Sequence, residues 1–281
     1  MRPDPLMKQI FSYCLAEASQ RYGVKVIAWD VMSNHYHSVV HDPDAQLPKF
    51  LGHLNKLLSK CVNHRYGRRE NVFSSEETCV TRLMTQQDVD DKVAYVLANP
   101  VAAHLVDKAG HWPGASSWDV MGHGPKTVKR PPVYFRRERS KMPETVTLEA
   151  SPPPWLKGET YEEWTVRMRR VVATREDEAR AERRRKGIPL VGRKRVLSTE
   201  PTYAPPPESW QRKLKPALAC LDRARMKVEK TILKGFRTLY ALARLEWEAA
   251  TEQAKSEVIF PAGTYRFREW GLRCAPFPPM T

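Results

Sequence analysis

Several features that would assign the chain to a common class of protein are missing from its 281 residues. No apolar run approaches the length of about 18 residues that a membrane-spanning helix needs. The first residues hold no apolar segment of the kind that directs secretion, so we expect no signal peptide. The five cysteines are scattered and form no C-x-x-C pair. We therefore expect neither a disulfide framework nor a zinc knuckle, and a cytoplasmic location.

Acidic residues are too few to balance the basic ones in the second part of the chain. Residues 1–120 contain 13 Lys+Arg and 13 Asp+Glu, whereas residues 121–281 contain 34 and 19, so the whole net charge of +15 lies there. Seventeen of the 23 prolines lie there too. The surplus favours a polyanionic partner, above all nucleic acid, over a merely solvated basic surface. We predict a domain boundary at residue 120.

Hydrophobic periodicity in residues 1–120 predicts an α+β fold with helices packed around a small antiparallel sheet. Helices are predicted at 6–22, 47–62 and 86–98, and strands at 24–32, 36–41 and 79–84. Gly23 and Gly67 are suited to end the first two helices. The third helix is expected to end before Pro100, because proline has no backbone N–H to continue the hydrogen-bond ladder.

The second part of the chain is predicted to be a largely helical, basic extension. A charged helix that carries Tyr161, Trp164 and Met168 on one face ends in a run of basic residues, and a basic loop follows it. One or two further helices are expected between residues 217 and 258. The candidate DNA-binding residues are Arg183, Arg184, Arg185, Lys186, Arg193, Lys194 and Arg195.

Two histidines at alternate positions suggest a metal site in the first part. His35 and His37 are separated by one residue at the second predicted strand, so both imidazoles project to the same side. Two adjacent imidazoles can chelate a divalent metal, although the same spacing also occurs in a surface or core histidine pair. His41 lies on the same face and could serve as a reserve ligand, but it is more simply interpreted as structural or incidental.

A tyrosine is displaced from the apolar face of the third predicted helix. At roughly 100° per residue, Val89, Val93 and Val96 cluster on one face, whereas Tyr95 lies on the side of Lys92 and Asn99. Asn99 is one turn after Tyr95, so its amide and the tyrosine hydroxyl share a face. Alone this is a weak signal, because exposed tyrosines are ordinary.

Three motifs in order carry a resemblance to a known family. The segment 32–40 (MSNHYHSVV) resembles the His-hydrophobic-His strand of the HUH single-tyrosine transposases, and 94–103 (AYVLANPVAA) resembles their tyrosine helix. The segment 111–118 (HWPGASSW) is similar to the part that follows in REP-associated tyrosine transposases. Further on, 192–197 (GRKRVL) and 260–265 (FPAGTY) resemble the C-terminal extension of one branch.

The resemblance implies a ferredoxin-like HUH nuclease domain in residues 1–120 and a specific chemistry. Tyr95 would be the nucleophile, His35 and His37 metal ligands, and Asn99 the third ligand. The cofactor would be Mg²⁺ or Mn²⁺, and the product a 5′-phosphotyrosine on single-stranded or hairpin DNA, as in DNA transposition. The implied partner is DNA in the nucleoid, without a membrane. Whether the chain acts as a homodimer is left open.

Two departures from the family pattern keep other interpretations open. The residue between the histidines is Tyr36, where the family prefers an aliphatic residue. The family also begins with a basic strand before the first helix, and we expect this chain to start at the helix. A domesticated or truncated, catalytically silent DNA-binding protein is therefore the alternative function. A replication initiator or relaxase is a third interpretation, against which the Asn99-Pro100 pair argues.

Overall fold

The structure is a computed structural model that describes residues 2–73, 78–135, 140–200, 216–265 and 272–276. The chain forms two compact units. Unit 1 consists of residues 1–79 and 85–214, and unit 2 of residues 80–84 and 215–281. Helices and small antiparallel sheets in the described ranges confirm the predicted α+β class. The domain boundary predicted at residue 120 stays a prediction.

Unit 1 begins with a helix followed by a hairpin. Helix α1 spans Pro5–Tyr22; the Asp4 side chain caps its first turn by accepting a hydrogen bond from the Met7 N–H. Gly23 ends the helix at a φ of +70°, a conformation that glycine adopts without steric cost. Strands β1 (Lys25–Val31) and β2 (Tyr36–His41) then pair antiparallel.

Two further helices place the hairpin between helical layers. Helix α2 (Leu47–Tyr66) packs beside α1 and buries its predicted apolar stripe. The Tyr36 ring contacts Phe11 of α1, and its hydroxyl donates to Asn55 Oδ1 of α2 at 2.8 Å. Helix α3 (Gln86–Ala102) packs on both strands and contacts His37 through Tyr95. Because side chains alternate along β2, Tyr36 and His37 point to opposite helical layers.

The predicted end of the third helix was wrong. Helix α3 passes through Pro100 and ends at Ala102. Pro100 lies in the last turn, so the helix loses one backbone hydrogen bond there, and the buried Pro100 and Val101 side chains offset that loss. The turn is closed by the Ala103 N–H, which donates to the Asn99 carbonyl at 2.9 Å.

The third predicted strand was largely wrong. Only Arg82–Leu83 form a strand, β3, and it pairs in parallel with the two-residue strand β6 (Leu218–Ala219) inside unit 2. The apolar side chains in 79–84 are too few to provide a buried face, and Val80 is exposed. The hairpin of β1 and β2 therefore forms a two-stranded sheet.

Other segments of unit 1 bind the edge of β1 that faces away from β2. The Val31 N–H donates to the Ala115 carbonyl at 2.9 Å, and the Trp29 N–H donates to Ser117 Oγ at 3.1 Å. At the other end, the Ser151 N–H donates to the Val26 carbonyl at 2.8 Å. At this edge of β1, where a further strand could pair, the backbone therefore already forms hydrogen bonds with Ala115, Ser117 and Ser151.

Unit 1 continues well past residue 120. Strands β4 (Lys126–Lys129) and β5 (Thr145–Leu148) form a second hairpin against α1. Helix α4 (Tyr161–Arg185) packs along α3, and its Trp164 Nε1 donates to Asp90 Oδ1 at 2.8 Å. Because Trp164 is fully buried, α4 belongs to the same core as α3.

The predicted basic loop at residues 192–195 is the start of a short helix. Gly192 has a φ of +78°, and helix α5 spans Arg193–Ser198. Val196 is buried against Met32, Val106 and Trp112. The sequence of α5 could not predict this packing, because one buried apolar residue in so short a helix shows no helical repeat.

Unit 2 contains one long helix, within the range where one or two helices were predicted. Helix α6 spans Arg223–Ala249, and strands β7 (Ile259–Phe260) and β8 (Arg273–Cys274) pair in parallel beside it. A small core joins Ala243 of α6 to Phe260. No helix in the described parts of either unit is both long enough and apolar enough to traverse a membrane.

Candidate active site

The two histidines of the predicted pair lie side by side at the start of β2. His37 is in the strand, and His35 precedes it in a turn that the Met32 N–H closes by donating to the His35 carbonyl at 2.9 Å. Their ring centres are 4.8 Å apart. Both imidazoles lie on one side of the hairpin, as predicted, but His35 lies in the turn before β2 and not in the strand where it was predicted.

Tyr95 completes a three-ring cluster on the α3 side of the hairpin. Its ring centre lies 5.6 Å from that of His37, with the two rings inclined at 73°. Tyr95 is 40% exposed, whereas its neighbours Ala94 and Val96 are buried. The helical angle therefore predicted correctly that this tyrosine is displaced from the core.

Both imidazoles are held in the neutral state at pH 7. Burial, together with the neighbouring His35 and Lys92, lowers the pKa of His37 to about 4. Partial burial also lowers the pKa of His35. Neutral imidazoles have the free lone pair that a metal ion needs.

Two residues that were not predicted support the cluster. His35 Nδ1 lies 2.7 Å from Asn34 Oδ1, an acceptor, so we assign the proton to Nδ1 and the free lone pair to Nε2. Lys92 Nζ lies 4.8 Å from the centre of the Tyr95 ring. The spacing of three residues between Lys92 and Tyr95 on a helix was the signal that could have indicated this contact.

Asn99 lies one turn after Tyr95 on α3 and is half-buried. Its Nδ2 is buried and has no hydrogen-bond partner among the described residues. This nitrogen is a hydrogen-bond donor and cannot bind a metal ion, so the role of the Asn99 amide oxygen as a metal ligand stays a prediction.

Two imidazoles and one amide oxygen would leave several ligand positions of a divalent cation open for oxygen atoms from outside the protein. Within the described ranges, no three His, Cys, Asp or Glu residues converge as a metal site. His35 and His37 could hold a metal ion together, and the amide oxygen of Asn99 stays the predicted third donor. Mg²⁺ and Mn²⁺ accept such incomplete protein shells because phosphate and water oxygens complete the octahedron.

The reserve ligand His41 lies away from the cluster. It stands at the far end of β2, opposite Lys25. Four residues along a strand separate it from His37 by roughly 13 Å. One metal ion cannot contact both side chains, so His41 stays outside the donor set.

The predicted DNA-binding residues differ in whether an acid neutralises them. Arg183 forms an ion pair with Asp107 at 3.3 Å, and Lys186 forms one with Glu182 at 2.6 Å. Arg184 and Arg185 are exposed at the end of α4. In the part of the chain that the structure describes, Arg184 has no ion pair, whereas Arg185 lies close enough to Glu182 to help lower the pKa of that carboxyl group.

Helix α5 holds the remaining basic candidates near the histidine turn. Arg193, Lys194 and Arg195 are exposed and have no ion pair with a described residue, whereas Val196 is buried against Met32. Met32 in turn hydrogen-bonds the His35 carbonyl. Backbone hydrogen bonds from residues 191 and 192 to the carbonyls of 104 and 105 fix α5 beside the end of α3.

A comparison with known families agrees with this geometry. Residues 4–95 match the family model described as "Transposase IS200 like". The matched residues include His35 and His37, and Tyr95 is the last of them. No curated protein and no solved structure matches the chain.

Proposed function

We propose that the chain cuts and rejoins single-stranded DNA through Tyr95, and the match of residues 4–95 to the family model described as "Transposase IS200 like" supports this proposal. The family supports transposase-type DNA cleavage in general. The observation that carries the specific proposal is the cluster of an exposed tyrosine and two neutral imidazoles. A cytoplasmic, nucleoid-associated location follows from the proposed DNA partner.

The proposed reaction exchanges one phosphodiester bond for another. The Tyr95 oxygen attacks the scissile phosphorus, and the bond from phosphorus to the 3′-oxygen breaks. The 5′-phosphate remains on Tyr95, and the proton lost from the phenol is balanced by the proton that the 3′-oxygen gains. A second 3′-hydroxyl reverses the steps and releases the tyrosine, so strand transfer needs no nucleotide cofactor.

The chain's own residues supply positioning and charge for this reaction. A bound Mg²⁺ or Mn²⁺ would polarise the scissile phosphate and neutralise its developing charge. His35, His37 and Asn99 would hold the ion, and Asn34 keeps the Nε2 of His35 free for it. Lys92 beside the Tyr95 ring places a cation near the reacting groups, where it would stabilise the negative charge that the phosphate oxygens gain in the transition state.

We expect Lys92→Gln to lower the rate of DNA cleavage by about tenfold to a hundredfold, because it removes a cation that acts in the transition state. KM should change little, since the phosphates bound before attack retain their other contacts. Lys92→Arg should restore part of the rate. The measurement is single-turnover nicking of a hairpin-bearing oligonucleotide.

Lys108→Gln is the matched control for Lys92→Gln, because both substitutions remove one positive charge. Lys108 is exposed and directly precedes a single-turn helix at Ala109–His111. Its kcat should equal that of the wild-type protein. Equal rates for Lys92→Gln and Lys108→Gln would show that Lys92 merely packs against the tyrosine.

The substrate strand is proposed to continue from the cluster along α5. The positions of Arg193, Lys194 and Arg195 next to the histidine turn support this path, as does their lack of described acidic partners. Arg184 and Arg185 at the end of α4 would extend it. Arg183 and Lys186 contribute less, because each is already paired with an acid.

Replacing Arg193, Lys194 and Arg195 together by Gln should weaken binding of single-stranded DNA. The slope of log Kd against log salt concentration should fall by about 2, since each lost phosphate contact on a single strand contributes about 0.7. Kd is measured by fluorescence anisotropy at several salt concentrations.

A control that also loses three charges distinguishes the proposed path from net charge alone. Lys49, Lys126 and Lys129 are exposed on α2 and β4, and we expect their replacement by Gln to change the slope by less than half as much. The same slope change in both variants would contradict the path along α5.

A further inference from the structure

Asp30 places a carboxyl group in the buried part of strand β1. It is 1% exposed, and every residue of β1 after Lys25 is buried. Acidic side chains are almost never buried to this extent without a partner, because a buried carboxyl group is costly unless hydrogen bonds satisfy its oxygens. An apolar side chain would suit this position better, so the acid indicates a role other than stabilising the fold.

The carboxyl group of Asp30 is not satisfied by its surroundings. Neither of its oxygens has a hydrogen-bond partner among the described residues. Burial raises the pKa of this carboxyl group well above its usual range, and the nearby Ser116 side chain offsets only part of that effect. In either protonation state the group keeps an oxygen that can accept a hydrogen bond. A buried acceptor is therefore free for a donor from a neighbouring side chain.

His37 lies directly opposite Asp30 in the ladder of β1 and β2. Side chains at opposite positions of an antiparallel pair project from the same face, with their Cβ atoms about 5 Å apart. This is the face on which α3 packs, because Tyr95 contacts His37 there. The next pair, Val31 and Tyr36, projects from the other face. The unpartnered carboxyl group and the imidazole thus share one side of the hairpin.

The ring of His37 is placed by ring contacts alone. Its neighbours are the rings of His35 and Tyr95. No hydrogen bond with a described residue determines which nitrogen of His37 carries the proton, whereas Nδ1 of His35 faces Asn34. A neutral imidazole has one N–H donor and one free lone pair, so an acceptor beside one nitrogen leaves the other for a metal ion.

We propose, on the basis of the function proposed above, that Asp30 is a positioning residue for His37. A carboxyl oxygen of Asp30 accepts a hydrogen bond from one ring nitrogen of His37, and the other nitrogen keeps its lone pair on the side of the cluster. The structure shows the two groups on one face but not bonded, so a rotation of the side chains forms the bond. Within the described ranges Asp30 does not join the histidines in a group that could hold a metal ion, so it is not assigned as a ligand.

Calorimetric titration of the whole chain with Mn²⁺, combined with unfolding in urea, tests this role. Asp30→Val should raise the Kd for Mn²⁺ by about tenfold to a hundredfold, the usual loss when the acceptor behind a histidine ligand is removed. Its unfolding midpoint should rise, because an unpaired buried carboxyl group is lost. Asp30→Asn keeps an acceptor oxygen, so its Kd should stay within about threefold of wild type.

Glu176→Gln is the control, because it also changes a buried acid. Glu176 accepts a hydrogen bond from the Ala109 N–H at 2.6 Å, so the substitution should lower the unfolding midpoint and leave the Kd for Mn²⁺ unchanged. A wild-type Kd in Asp30→Val would overturn the proposal. An equal rise of the Kd in Glu176→Gln would show that Asp30 acts only through stability.

Nitrogen NMR of the histidine rings gives a readout that needs neither metal nor DNA. The signal of His37 is identified by its absence from His37→Ala. Near neutral pH it should show one tautomer in the wild-type protein and an average of two in Asp30→Val. An average of two tautomers in the wild type would contradict the proposal, whether or not Asp30→Val folds. If the wild type bound no Mn²⁺, the proposed function would fail, and this signal would still decide the role of Asp30.

Discussion

Tyr95→Phe should reduce nicking of a hairpin-bearing single strand by at least about a thousandfold, because it removes the oxygen that attacks phosphorus. DNA binding should stay within about twofold of wild type, since phosphate contacts by basic side chains dominate affinity. Stability should change little, because the exposed ring keeps its contacts with His37 and Lys92. The measurement combines single-turnover cleavage with an affinity titration.

Tyr36→Phe is the matched control, because Tyr36 is adjacent in sequence to both histidines. Its hydroxyl donates to Asn55 on the other side of the hairpin, so it cannot be the nucleophile in this fold. We expect cleavage within about threefold of wild type and a loss of about 1 kcal/mol in the free energy of unfolding. Loss of cleavage in Tyr36→Phe with normal cleavage in Tyr95→Phe would reverse the assignment.

His37→Ala should lower the cleavage rate by at least about a hundredfold at a limiting metal concentration, because the proposed ion loses one of its two imidazole ligands. Raising the Mn²⁺ concentration should restore part of the rate, since weaker binding is offset by mass action. The measurement is the initial cleavage rate as a function of Mn²⁺ concentration for the wild type and the variant.

His41→Ala provides the comparison for the metal site. His41 is on the same strand and is predicted to face the same way, but it stands at the far end of β2. Its Mn²⁺ dependence should match that of the wild-type protein. If both variants shift the Mn²⁺ dependence equally, the shift reflects the stability of the strand, and the site assignment is wrong.

Features that depend on local periodicity could be predicted from the sequence. The α2 stripe, the alternation of His35 and His37, and the displacement of Tyr95 from the core all follow from the repeat of one helix or strand. The Thr85 cap of α3 is also local, because its side chain accepts from the Asp88 N–H three residues on.

Features that depend on distant contacts could not be predicted in this way. Pro100 remains helical because its turn is buried, and Arg193 starts a helix because Val196 packs on a residue more than 150 positions earlier. The packing of α4 on α3 also depends on a distant pair, Trp164 and Asp90. Periodicity within one segment contains no information about such partners.

The packing of α4 changes how DNA affinity should be tested. Deleting residues 121–281 is the simplest way to remove the basic part of the chain. It would also remove Trp164 and Met168, which are fully buried in unit 1, and so expose the core beside α3. Substitution of exposed basic residues tests affinity without this loss of stability.

The covalent intermediate gives the most direct test of the nucleophile. The wild-type protein is incubated with Mn²⁺ and a hairpin-bearing single strand, digested with protease and nuclease, and mapped by mass spectrometry. We predict a nucleotide joined through its 5′-phosphate to the peptide that contains Tyr95. An adduct on another residue would contradict this mechanism. Tight DNA binding without any adduct would instead identify a catalytically silent DNA-binding protein.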